Sequence, residues 1–508
     1  MRVGWQLSSQ LRIRFISLFC AFATASVCFA HVGSPNVYFQ GNAGPYHVVV
    51  MVRTPQMIPG IAEIEIRSDK PGVRAVKLTP LYIVGPGSKY PPPPDVLRPT
   101  QGDPQFFAGK IWLMESGSWQ VRIEVDGDAG SGTLAVPVPA AARNTLPMQK
   151  ELGALLFGLM VLLVAAIVSI MGAARRESQL TPGEQPGPQQ KRGARFVMAG
   201  AFVAVVAILA LGRLWWTDAA AAKSSVMIYQ PPKLHVSLEP DGKMLLNIGE
   251  SNWHIRRPET VMTSLIPDHG HLMHLFLIRM PQMDKFYHLH PEQTGPMAFA
   301  DDLPPMEAGH YKIFADIVRA SGFPDTMVAD VEIPSTAGKP MAGDDSEATA
   351  PALADSRSAN ASCELPDGAR MIWERDPGPL ASNRLLWFRF RVEDASGKPV
   401  TDLEPYMGMA AHAVFVASDF SVFAHVHPDG SVPMAALTLA DASLTGTANS
   451  ASNLGAGMSM VGMNMPAASL PAEVSFPFGF PKAGVYRVFV QVKRRGAIET
   501  GVFDADVN

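Results

Sequence analysis

The chain has 508 residues, 17% of them charged, with Gly 43, Pro 44 and a formal net charge of −4. That length calls for several folded units, and abundant turn residues with few charges suit β-rich domains plus some membrane-embedded length. No Lys/Arg stripe with interleaved aromatics occurs, which excludes nucleic acid as a partner.

Taken in chain order, residues 1–30 read as a secretory signal: Arg2, Arg12 and Arg14, an apolar stretch from Phe15 to Phe29, and the small-residue ending at Ala30. Its removal would take Cys20 and Cys28 and leave Cys363 alone, so no intrachain disulfide framework is expected. Residues 31–148 alternate apolar and polar positions in His47–Val52, Ile61–Ile66 and Trp119–Val125, the period of half-buried strands, and predict an N-terminal extracytoplasmic β-sandwich. Pro91 to Pro94 belong in a polyproline II loop.

Residues 151–174 and 196–216 are the two candidate transmembrane helices. The first has no charge from Leu152 to Ala174, enough at about 1.5 Å per residue to cross a ~30 Å hydrocarbon core. The second ends on Arg213, Trp215 and Trp216, side chains suited to the membrane interface. Between them, residues 175–195 carry Arg175, Arg176, Lys191, Arg192 and Arg195, which marks this loop as cytoplasmic by the excess of positive charge. The N- and C-terminal domains then both lie outside the cytoplasm, in a periplasm-like compartment, with the lipid bilayer as a partner.

The remainder contains an internal repeat. His271–Glu292 and Ala410–Asp429 share an apolar run, a turn and a His-x-His-Pro ending, and each is followed by an Ala-Gly-x-Tyr stretch, at Ala308–Phe314 and Ala483–Phe489. Two homologous β-sandwiches are expected, at 225–335 and 363–508, joined by an Ala/Ser/Asp/Gly-rich flexible linker at 336–362. The expected fold class is mainly β: several Ig-like β-sandwich domains plus two transmembrane α-helices.

In a strand, residues two apart share a face, so His288 and His290 point together. Folding the hairpin about Gln282 sets His274 opposite His290. In the second copy, folding within Ser418–Ser421 pairs His412 with His427, with His425 on the same face. Each triad of neutral imidazoles is a ligand set for Cu(II), Zn(II) or Ni(II), and two separate sites are expected, one per sandwich. His269 and His271 add possible ligands in the first copy only, although their glycine-containing approach to the strand favours solvated loop histidines. Copper is favoured over zinc by Met458, Met460, Met463 and Met465 in a low-complexity loop, and by Met407 and Met409 before His412, because thioethers are soft ligands for Cu(I). A further site could use His31, whose α-amine and imidazole would chelate if cleavage follows Ala30, together with His47.

The start His31-Val32-Gly33-Ser34-Pro35 resembles that of CopC-type periplasmic copper-resistance proteins, and the 31–140 region is similar to YtkA-like and FixH-like extracytoplasmic β-sandwiches. The paired His-x-His-Pro modules resemble secreted domains found near copper and heavy-metal handling systems. The resemblance implies copper binding, delivery or resistance, with a copper transporter or membrane oxidase as partner. The N-terminal domain departs from the copper-resistance pattern in lacking its dense Met/His content.

No phosphate loop, Gly-x-Ser-x-Gly elbow or His-Glu-x-x-His helix is present, and no catalytic residue is expected. Two alternatives stand beside metal delivery: a non-catalytic interaction module of a membrane assembly with structural histidines, and a copper-dependent oxidoreductase.

Overall fold

The computed structural model describes residues 36–181, 183–255, 264–353, 361–375, 378–445 and 470–508. The signal segment, His31 and the four methionines at 458–465 lie outside the described residues.

The N-terminal unit consists of β1 (Val37–Ala43), β2 (Tyr46–Arg53), β3 (Gly60–Ser68), β4 (Val73–Tyr82), β5 (Asp95–Leu97), β6 (Phe106–Leu113), β7 (Gly117–Gly127) and β8 (Gly130–Ala140). Two four-stranded sheets, in the orders β1-β2-β3-β6 and β5-β4-β7-β8, close over one apolar core. β3 shows why: Ala62, Ile64 and Ile66 are buried while Glu63 and Arg67 between and beyond them face outward, the period of two that a half-buried sheet requires.

Two helices follow, α1 (Lys150–Glu177) and α2 (Pro188–Met227), both long and apolar enough to cross a membrane and almost wholly exposed along their apolar lengths. They run beyond the apolar stretches, so the expected 175–195 connector shrinks to the residues between Glu177 and Pro188. The pair packs closely at Gly172, where a Cβ would come within 2.5 Å of the Met198 side chain.

The second unit contains β9 (Leu234–Leu238), β10 (Lys243–Ile248), the single turn α3 (Asn252–Ile255), β11 (Leu265–Ile266), β12 (His274–Arg279), β13 (Lys285–Leu289), β14 (Glu292–Gly295), β15 (Ala298–Asp302), β16 (Gly309–Arg319), β17 (Pro324–Ile333) and β18 (Ser346–Thr349). The third contains β19 (Ser362–Glu364), β20 (Arg370–Glu374), β21 (Leu386–Glu393), β22 (Leu403–Glu404), β23 (His412–Ala417), β24 (Phe423–Val426), α4 (Met434–Thr445), β25 (Glu473–Phe478), β26 (Gly484–Arg494) and β27 (Ala497–Val507). Each unit pairs an outer four-stranded sheet with an inner one. The inner sheets repeat the same topology, β11-β16-β12-β13 in one and β22-β26-β23-β24 in the other, with β17 and β27 pairing to β16 and β26.

The inner sheets are buried on both faces. In β12, Leu275 and Leu277 enter the core of the second unit, while Phe276 and Ile278 join a separate apolar layer with Val414, Val416 and Phe423 of the third. In β23, Ala413 and Phe415 point into their own core. The two inner sheets therefore stack back to back, which accounts for the unbroken apolar runs of these strands. Phe314 stacks on Phe423 with ring centroids 4.2 Å apart, and Phe286 on Phe489 at 4.2 Å.

The expected flexible linker is corrected in part: Ser346–Thr349 form β18, which pairs with β13 and extends the inner sheet. A stretch poor in apolar side chains still makes a strand here because an existing sheet edge supplies its partners.

Candidate metal centre

The hairpin registers bring the histidines together. Leu275 pairs with Leu289 and Phe276 with His288, which sets His274 across from His290; Ala413 pairs with Val426, which sets His412 across from His427. These histidines sit on the same strand faces as the Phe and Val side chains of the layer between the inner sheets, so they point away from their own sandwich cores and toward the other unit. The expectation of one site confined to each sandwich is corrected on this ground, while two metal-capable groups are present side by side. Stacking the inner sheets merges both triads into one cluster between the units.

The first group is His274, His288 and His290, whose ligand-capable atoms lie within 4.8 Å of one another. Second-layer acceptors fix each tautomer. His274 Nε2 donates to the Asp268 carbonyl at 3.1 Å, which leaves Nδ1 as the lone pair. His288 Nδ1 donates to Gln491 Oε1 at 3.0 Å, and that amide is held by its own donation to Ser346 Oγ. His290 Nδ1 donates to Asp345 Oδ1 at 3.0 Å, leaving a buried Nε2 with no partner. The bare nitrogens of His274 and His288 stand 3.1 Å apart. Two nitrogens on one tetrahedral ion with bonds of about 2.0–2.1 Å are separated by roughly 3.3 Å. Lone pairs directed at each other at this distance repel unless a cation or a proton lies between them.

The second tight group is His412, His427 and His269, not His425. His269 donates from Nδ1 to the Met407 carbonyl at 3.0 Å and presents Nε2 to His427 Nε2 at 3.1 Å. The reading of His269 and His271 as solvated loop residues is thus corrected. His269 bridges the units, and the His271 ring lies 4.0 Å from that of His290, with Nε2 3.2 Å from Asp344 Oδ2. Sequence spacing does not reveal either role, because both come from a turn ahead of β12 whose direction depends on the neighbouring unit. The only advance signal is their density, three histidines within the six residues from His269 to His274, and it does not distinguish ligands from solvated side chains. His425 remains in the cluster, its ring 4.6 Å from that of His427, 5.5 Å from that of His412 and 5.3 Å from that of His274.

Eight imidazoles are thus contiguous. Burial, with repulsion from neighbouring imidazoles, holds His274, His288, His412, His425 and His427 well below the ordinary imidazole range and His290 down to about 3. They are neutral at physiological pH, the form that binds metals. His412 has neither ring nitrogen hydrogen-bonded, and His425 Nε2 is likewise buried and unpartnered. Each buried polar atom left unpaired costs about 1–3 kcal/mol.

A cavity of about 140 Å³ opens onto the cluster where the three units meet, lined among others by Asp268, His271, His274, Asp316, His425 and His427. Asp316 Oδ2 lies 3.7 Å from His425 Nδ1, and burial pushes its carboxyl up to about 7. Asp268 is buried and accepts the Ala435 amide at 2.7 Å. His47 lies apart on β2 with Nδ1 3.2 Å from Asn42 Oδ1 and joins no metal-capable group among the described residues.

Residues 364–508 match a family described as a domain of unknown function (DUF8832), a match that covers most of the third unit. No curated protein sequence matches the chain. Among solved structures, a Salmonella alpha-2-macroglobulin reacted with methylamine aligns at 8% identity over 94% of this chain and 23% of its own, with a TM-score of 0.19. The chain thus spans less than a quarter of that protein. The BSP domain of a biofilm associated protein aligns at 7% identity over 97% and 69% of the two chains, with a TM-score of 0.15. The D1–D4 ectodomain fragment of ICAM-5 aligns at 7% over 92% and 77%, with a TM-score of 0.15. TM-scores this low mark no shared overall arrangement, so the chemistry is argued from the histidines.

Proposed function

We propose that this chain is a membrane-anchored, extracytoplasmic protein that binds transition-metal ions, copper foremost, in the histidine cluster between its two C-terminal sandwiches, for delivery or resistance. The observation that carries the reading is the convergence of His274 Nδ1, His288 Nε2 and His290 Nε2, each the bare nitrogen of a ring whose other nitrogen is hydrogen-bonded outward. Orienting acceptors behind the imidazoles are the usual second layer of a metal site. Copper(II) heads the affinity order for such nitrogen sets, ahead of zinc. The two apolar helices supply the membrane anchor, and the basic residues around 175–195 favour a cytoplasmic connector with both ends of the chain outside. A transporter or membrane oxidase would receive or supply the ion, since two helices do not make a pore. Resemblance to CopC-type, YtkA-like and FixH-like proteins adds to this reading at the N-terminal unit only.

The test is copper and zinc titration of the full-length protein in detergent, followed by thermal unfolding with and without a chelator. About two ions per chain are expected, with a fall in Tm on chelation, since a ligand at 1,000 times its Kd stabilises by about 4 kcal/mol. His274→Ala with His288→Ala should abolish the ion of the first group. A wild-type protein that binds neither metal would sink the proposal and leave the histidines as packing residues of an interaction module.

A further inference from the structure

The two histidine groups are built on equivalent turns, yet the turns carry different donors. Ahead of β12 stands Pro267-Asp268-His269-Gly270-His271-Leu272-Met273-His274, and ahead of β23 stands Pro405-Tyr406-Met407-Gly408-Met409-Ala410-Ala411-His412. The backbone is the same in both. Residues 268 and 271 exchange amide-to-carbonyl bonds at 2.8 and 3.0 Å, as do residues 406 and 409. His269 and Met407 hold positive φ of 51° and 48°, and the glycines that follow hold 91° and 81°. His271 therefore has Met409 as its counterpart, and the ring of His271 lies 4.0 Å from that of His290, the counterpart of His427. Met409 is buried.

The surroundings differ in the same sense. In the first group carboxylates stand behind the rings, Asp345 on His290 and Asp344 on His271, which raises the basicity of the inward nitrogens and suits borderline divalent ions. In the second group no carboxylate hydrogen-bonds to His412 or His427 among the described residues, and His412 has both nitrogens unpartnered. A thioether beside weakly supported imidazoles suits a soft ion.

We infer that Met409 is a metal ligand, and that with His269, His412 and His427 it forms a soft-ion site for a monovalent cation, Cu(I) or Ag(I), beside the all-imidazole site for a divalent ion. The inference rests on the metal-binding reading above and specifies the ion class of the second group. Side by side, the two donor sets let one cluster hold borderline and soft ions at the same time.

The probes are Ag(I), which is soft and does not change oxidation state, and Zn(II), titrated into the full-length protein in detergent with the four methionines at 458–465 replaced by Leu so that they contribute no thioether. In this background one Ag(I) and one Zn(II) per chain are expected. Met409→Leu, which conserves volume, should weaken Ag(I) by about tenfold or more and leave Zn(II) unchanged. Met409→His, which copies the first turn, should also weaken Ag(I) and add a second Zn(II). His290→Ala should do the reverse of Met409→Leu, removing Zn(II) while Ag(I) stays. Unchanged Ag(I) binding in Met409→Leu overturns the inference while the metal reading stands, whereas no binding of either probe to the parent overturns both.

Discussion

His290 illustrates how single residues tune the cluster. Its Nδ1 and its backbone amide both donate to Asp345 Oδ1, each at 3.0 Å, so one carboxylate oxygen orients the ring and pins the strand end that carries it. Asp345→Ala should lower affinity for the first ion by about 10- to 100-fold, the usual cost of losing such a support, with little change in the fold. Competition against a chelator of known affinity checks this, and an unaltered Kd would show that the ring is held by packing alone. The lowered imidazole pKa values set a second expectation. A histidine with a folded pKa far below its unfolded ~6.5 is already deprotonated at pH 5.5, so no proton has to be displaced there by an incoming ion. Between pH 7.5 and 5.5 the Asp345 carboxyl, which burial raises to about 6, is the group behind His290 that titrates, so the fall in affinity for the first ion over this range should disappear in Asp345→Asn, and the imidazoles add to it only as pH approaches the value of about 3 held by His290. A steep loss below pH 6.5 that persists in Asp345→Asn, measured by the same competition, would indicate solvated rings.

At the scale of elements, the N-terminal unit reaches the cluster through β1. Gln40 donates its amide to the Asp429 carbonyl at 2.8 Å and its side chain to the Pro428 carbonyl at 2.8 Å, and Ser431 returns its amide to Tyr38 at 2.9 Å. The turn that follows His427 is thereby clamped. Gly430 makes the contact possible: its φ is 130°, and a Cβ there would lie 2.0 Å from the Tyr38 carbonyl oxygen. Gly430→Val should separate β1 from the turn, lower stability by roughly 1–3 kcal/mol and quicken metal release from the second group. Stopped-flow release into a chelator measures the latter, and a rate equal to wild type would argue that β1 does not guard the site. Much of this level is legible in the sequence. The pairing of His274 with His290 and of His412 with His427 follows from hairpin symmetry, because a one-residue slip would move every apolar side chain to the wrong face. β18 is not legible, since Ser346–Thr349 has the composition of a linker and becomes a strand only against the edge of β13.

At the scale of the molecule, the second long apolar helix is tied directly to the unit that carries the first histidine group. Tyr229, two residues beyond the end of α2, donates to Asp325 Oδ1 at 2.5 Å. Arg319 and His254 meet the other oxygen of that buried carboxylate at 2.7 and 3.1 Å. Asp325 also lines the cavity beside the histidines, so the base of the apolar helix and the histidine cluster share a wall. The proposed topology has a direct check. With Cys20, Cys28 and Cys363 all replaced by Ser, Ser178→Cys should resist a membrane-impermeant maleimide in intact cells with a permeabilised outer envelope, while Ser396→Cys should be labelled. Both positions are exposed. Equal labelling would overturn the orientation.

The sequence by itself determined the β-rich class, the two apolar helices, the repeat and the strand registers, because each is written in local periodicity: two residues for a strand face, an uninterrupted apolar run for a spanning helix, a turn for a hairpin. Tertiary structure alone decided that the two triads are one cluster. The face of β12 that carries His274 is buried by β23 and β24 of another unit, and no spacing along the chain encodes which sheets stack. The same stacking brought His269 to His427, a separation of 158 residues, and exchanged it for His425 in the tight group. Ligand sets drawn from different units are fixed by how apolar faces bury one another, a property of surfaces that exist only once each sandwich has folded.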